Sequence, residues 1–151
     1  MIIIHRTNSE NQDFIELVKQ LDKELASRDG ELHSFYDHYN KITGIKNVVV
    51  AYRGNIAAGC GAIKQFEEGV FEVKRMFVKL DFRNQGIASF ILTELEKWCL
   101  DLGNEKLVLE TGIGQPEAIR FYKKHGFKSI PNFGQYAEIQ NSVCFEKYLN
   151  S

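Results

Sequence analysis

Apolar residues along this chain either alternate with polar ones or recur every three to four positions, so most of it parses into elements by period alone. Residues 2–6, opening with Ile2-Ile3-Ile4, predict a first strand. Ser9 and Gln12 form a capping-box pattern, and Phe14, Ile15, Leu17, Val18, Leu21 and Leu25 follow at helical spacing. Residues 29–44 are polar but rich in aromatics and histidine, and predict a loop with a short second helix. Val48-Val49-Val50-Ala51-Tyr52 and the run from Ile56 to Gln65 read as strands joined at Arg53-Gly54-Asn55, a hairpin signal. Glu67-Glu68-Gly69 turns into a strand over Val70–Lys79. A strongly amphipathic helix then carries Ile87, Phe90, Ile91, Leu95, Trp98, Cys99 and Leu102 on one face. Leu107-Val108-Leu109 reads as a buried strand, and Phe127–Ile130 and Ser142–Leu149 as closing strands. The order β-α-α-β-β-β-α-β-α-β-β predicts an α/β fold: a mixed sheet flanked by helices in three layers, formed as a single domain over residues 1–151.

The turn at Arg83-Asn84-Gln85-Gly86-Ile87-Ala88 departs from an ordinary strand-to-helix connection. Gly86 opens the first helical turn and lets a ligand approach the backbone. Ala88 keeps that surface low. No Asp or Glu occupies the first turn, where the helix dipole favours one, and Lys79 and Arg83 stand just upstream. Free amides, small residues and nearby positive charge make this a phosphate-binding pattern. A single Gly-x-Ala also fits a plain connection. A second segment, Gly114-Gln115-Pro116-Glu117-Ala118-Ile119-Arg120-Phe121-Tyr122-Lys123-Lys124-His125-Gly126-Phe127, is a short helix with clear ends. Pro116 suits its first position, Lys123, Lys124 and His125 complement its C-terminal end, and Gly126 supplies a left-handed stop.

Together the two segments resemble the GNAT superfamily of acyl-CoA-dependent N-acyltransferases. The likeness lies in R-x-x-G-x-A at Arg83, Gly86 and Ala88, and in A-I-x-x-Y-x-x-x-G-F at Ala118, Ile119, Tyr122, Gly126 and Phe127, and it spans residues 48 to 148. The resemblance implies that the backbone of Arg83, Asn84, Gln85, Gly86, Ile87 and Ala88 cradles the pyrophosphate of acetyl-CoA. It implies that Met76, Phe77 and Val78 offer main-chain bonds to the pantetheine arm, and that an amide near Phe77 or Val78 serves the oxyanion. Gln115 takes a cofactor-contact position where many members carry Asn.

Composition narrows the class. The chain has 151 residues, 44% apolar and 26% charged, the profile of a soluble globular protein that buries roughly 68–70% of its unfolded surface. Its net charge of −1 gives no electrostatic case for nucleic acid or an anionic membrane. Cys60, Cys99 and Cys144 are odd in number and widely spaced, which suggests neither a disulfide framework nor a metal site and fits a reducing cytoplasm. With Ile2 directly after Met1, the expectation is a chain without a signal peptide, and no apolar run approaches the ~20 residues of a membrane span. The resemblance leaves room for a homodimer.

The chemistry needs a neutral amine. An amine with a pKa near 10.4 costs about 4.6 kcal/mol to deprotonate at pH 7, so a base is useful. Glu72 stands eleven residues before Arg83, the spacing at which the histone-acetyltransferase branch of the superfamily places its glutamate base. The same residue also reads as a strand carboxylate paired with Lys74, which alternation puts on its face. Glu110 is a second candidate base or a substrate-orienting group. Tyr122 takes the position from which the family presents a phenol to the departing thiolate, and equally reads as a core tyrosine beside Phe121. Tyr36 and Tyr39 are candidate acceptor-pocket walls, or the packed face of a short helix. Tyr136 is a candidate substrate contact. His5, His33, His38 and the Gly59-Cys60-Gly61 run carry no metal-ligand or dinucleotide pattern. The expected activity is acetyl transfer to the primary amine of a small metabolite by direct attack. Acetylation of a protein lysine or N-terminus, or non-catalytic acyl-CoA binding, are the alternatives.

Overall fold

A computed structural model describes residues 1–29 and 44–149. Its elements run β1 (Ile2–Thr7), α1 (Gln12–Asp29), β2 (Asn47–Arg53), β3 (Ile56–Glu67), β4 (Val70–Val78), α2 (Ile87–Asp101), β5 (Lys106–Gly112), α3 (Pro116–Lys124), β6 (Lys128–Ile130) and β7 (Ser142–Tyr148). Short 3₁₀ turns lie at Leu80–Phe82 and Gly134–Tyr136. The second helix expected within residues 29–44, with Tyr36 and Tyr39, lies outside the described residues.

All seven strands join one sheet in the order β1-β2-β3-β4-β5-β7-β6. Every pairing is antiparallel except β4 with β5, which α2 links as a crossover. The hairpin forms where Gly54-Asn55 stands, with Gly54 at φ 62. One correction concerns the start of α1. Its cap is Asn11, whose Oδ1 accepts the Phe14 amide at 2.9 Å, and not Ser9. Either residue type can cap; Asn11 stands directly before the first helical turn and so reaches the N3 amide.

Two apolar cores sandwich the sheet. On one face Phe14, Leu17, Val18 and Leu21 of α1 pack on Val48, Val50 and Cys60. On the other, Ile87, Ile91, Leu92 and Leu95 of α2, with Tyr122 of α3, pack on Val49, Ile63 and Leu109. The Gly59-Cys60-Gly61 run explains how α2 lies so near the sheet. A Cβ at Gly61 would stand 2.5 Å from Met76 Sδ and 2.9 Å from Ile91 Cγ2, closer than side chains tolerate. Among the described residues no helix is long and apolar enough to cross a membrane.

Candidate active site

The site begins where two neighbouring strands part. β4 and β5 pair only at Val70–Lys106, Phe71–Leu107 and Glu72–Val108, although β4 continues to Val78 and β5 to Gly112. Beyond Glu72 the edge of β4 therefore faces a cleft, and its peptide groups seek partners other than a strand.

A bulge in β4 then reorders its side chains. Cys60 opposes Phe77 and Ala62 opposes Lys74, so Arg75 and Met76 together stand against Gly61 alone. Arg75 takes a left-handed φ of 58. Without the bulge Val73 and Phe77 would share a face; they lie in opposite cores, and Met76 packs with the α2 side.

After β4 the chain forms the elbow expected from sequence. Asn84 and Gly86 both have left-handed φ, 64 and 81. Gly86 caps α2 with no side-chain bond, and the first turn holds no acid. The first ladder bond runs from the Phe90 amide to the Gly86 carbonyl, so the amides of Ile87, Ala88 and Ser89 precede the ladder. Arg83 holds the elbow in place. Its Nε donates to the Val78 carbonyl and its Nη2 to Glu24 of α1, each at 2.8 Å, while the guanidinium lies over the Phe77 ring. Its guanidinium is thus paired with Glu24.

The elbow borders a groove of about 550 Å³ that runs along Met76, Phe77 and Val78 to Gln115 and Tyr122. A chamber of about 100 Å³ adjoins it; Met76, Gln115 and Tyr122 line both. Tyr122 is 7% exposed and packs edge-on against Phe121 and Phe127, and burial pushes its phenol pKa up. Tyr122 is thus a core side chain that also stands at the corner between the two cavities.

The chamber is lined with charge. Glu72 and Lys74, both buried, approach to 3.6 Å, so the strand pairing exists. Desolvation pulls the Lys74 pKa down, against the Glu72 carboxylate that raises it. Tyr136 Oη donates to Glu72 Oε2 at 3.1 Å. Burial and then the charges of Glu72 and Glu110 push the Tyr136 pKa up, which keeps it a donor. Tyr136 is 1% exposed; it lines the chamber and holds Glu72. Glu110, from β5, accepts from Ser142 Oγ at 2.6 Å. Arg75 was not singled out from sequence; its Nη2 bonds Asp22 of α1 at 2.5 Å. No local motif marks it, because the bulge that turns it inward leaves no trace in the pattern.

Comparison with known proteins agrees with this geometry. Residues 12–127 match the acetyltransferase (GNAT) family. An IAA acetyltransferase of Azospirillum brasilense is 32% identical over 150 residues, which cover 98% of both chains. A Klebsiella pneumoniae protein assigned provisionally as an acyl-CoA N-acyltransferase superposes with a TM-score of 0.84 at 27% identity over 99% of both chains. A GNAT-family acetyltransferase of Elizabethkingia anophelis, solved with acetyl-CoA bound, gives 0.71 at 21% identity over 98% of both chains.

Proposed function

From the premise that this chain belongs to the acetyltransferase (GNAT) family, as an acyl-CoA-dependent N-acetyltransferase with acetyl-CoA as donor, we propose that it acetylates the primary amine of a small metabolite by direct attack in a ternary complex. The observation that carries this reading is the junction at Met76, Gln115 and Tyr122. There a long groove bordered by the uncapped start of α2 opens into a small chamber lined by charged side chains. A chamber of about 100 Å³ suits an acceptor end of only a few heavy atoms. The relative at 32% identity that is named an IAA acetyltransferase also supports a small-molecule acceptor.

Bound acetyl-CoA supplies an activated acyl carbon and a thiolate leaving group. The chain's residues supply the rest. The amides of residues 86–89 hold the diphosphate end, and the open edge of β4 at Met76–Val78 aligns the pantetheine arm. An amide on that edge faces the thioester oxygen as charge develops. Glu72 receives the ammonium proton through water, and Tyr136 and Lys74 fix its carboxylate for that task. The C–N bond forms to give a tetrahedral oxyanion, whose collapse breaks the C–S bond; the nitrogen's second proton passes to the departing thiolate, and Tyr122 donates a hydrogen bond to that sulfur. A phenol pushed up by burial favours hydrogen-bond donation over full proton loss. An acyl-enzyme on cysteine is disfavoured, since burial pushes Cys60 up to about 12 and both Cys99 and Cys144 up to about 11.

Thiol release from acetyl-CoA across an amine panel tests the reading. Turnover with at least one small amine is the expected result. Tight acetyl-CoA binding with no thiol release from any amine would contradict it.

A further inference from the structure

The acceptor chamber carries two cations that a simple amine does not need. Lys74 and Arg75 are consecutive, and in a regular strand they would face opposite sides of the sheet. The bulge at Arg75–Met76 breaks the alternation, and both line the chamber. Arg75 holds this place at a cost. Its φ of 58 is rare for a residue with a Cβ and is strained. Its residue exposure is 7%, yet a guanidinium keeps its charge at any ordinary pH. Asp22 engages one terminal nitrogen, and Nε is buried with no hydrogen-bond partner among the described residues. An unsatisfied buried donor is unfavourable, so pairing among the described residues does not account for this side chain.

The free donor is Nε, on the edge whose Nη2 already donates to Asp22, so a substrate carboxylate gains one charge-assisted bond there beside that pair. Lys74 adds a second positive charge, while Glu72 and Glu110 line the same chamber with negative charge. We infer that the acceptor is a carboxylate-bearing amine, an amino-acid-like molecule whose carboxylate lies against Arg75 and Lys74 while its amine lies toward Glu72. The inference rests on the acetyl-transfer reading above and narrows it to one substrate class.

The test uses the whole protein, acetyl-CoA and amines in matched pairs that differ only in the carboxylate: γ-aminobutyrate against propylamine, phenylalanine against phenethylamine. The carboxylated member of at least one pair should show kcat/KM higher by about tenfold or more, the span of one charge-assisted bond. Arg75→Gln should raise KM for that member about tenfold to a hundredfold and leave KM for its partner unchanged. Arg75→Lys, which keeps the charge without the fork, should fall between the two. If Arg75→Gln does not fold, the wild-type comparison still decides. Equal or better turnover of the plain amines would overturn the inference alone and leave acetyl transfer standing. No thiol release with any amine would overturn both.

Discussion

The elbow at residues 83–89 and the chamber around Glu72 lie at opposite ends of one strand and are built by opposite means. The elbow is built on the main chain: two left-handed residues and a helix start with no side-chain cap. Its one large cation, Arg83, is tied to Glu24 and Val78 and serves as a brace. The chamber works through side chains: Glu72 with Tyr136 and Lys74, Glu110 with Ser142, Arg75 with Asp22. Backbone recognition suits a donor whose diphosphate is always the same. Recognition by side chains suits an acceptor that a few substitutions can change without disturbing the donor site.

That division predicts separable failures. The largest belongs to Gly86→Glu. A Cβ there meets nothing within 4 Å, so the damage comes from the left-handed φ and from a carboxylate beside an anion site. Acetyl-CoA affinity measured by calorimetry should fall about a hundredfold or more, the sum of ~1–2 kcal/mol of strain and the repulsion. Glu72→Gln should act at the other end. It should cut kcat about a hundredfold or more, flatten the acidic limb of the pH–rate profile, and leave acetyl-CoA affinity unchanged. A preserved limb would move the base to Glu110 or to water.

Tyr122→Phe probes the corner between the two regions. It should lower kcat by about tenfold to a hundredfold, the span of a hydrogen bond to a charged group, with acetyl-CoA binding intact. An unaltered rate would leave Tyr122 a packing residue only. The smallest effect lies at His125, which meets Ser89 Oγ of the elbow helix at 3.0 Å. Desolvation depresses its pKa below the ordinary 6.5, with Glu96 opposing. The unfolded chain therefore binds this proton first as pH falls, so stability declines below about pH 6.5 and levels off beneath the folded value. His125→Gln should remove that part of the slope in denaturant titrations at successive pH values, and an unchanged slope would dismiss the histidine.

The same comparison shows what the amino-acid pattern carries. Backbone features announce themselves through residue type: Gly54-Asn55 at the hairpin, Gly86 at the elbow, Pro116 and Gly126 at the ends of α3. Chamber features depend on partners far away in the chain. Glu72 meets Tyr136 across 64 residues, and Arg83 meets Glu24 across 59. The Glu72–Lys74 pair was legible because two residues separate them on one strand face. Arg75 was not, since Lys-Arg-Met reads as ordinary alternation and the bulge arises only when β3 brings Gly61 opposite. The insertion of β7 between β5 and β6 was likewise a matter of tertiary packing.

A crystal structure of the protein with coenzyme A bound tests the central claim most directly. Diphosphate oxygens should lie within about 3 Å of the main-chain amides of residues 86–89, with the sulfur beside Tyr122 at the mouth of the chamber. A diphosphate held by side chains elsewhere, or a sulfur pointing away from Glu72, would contradict it.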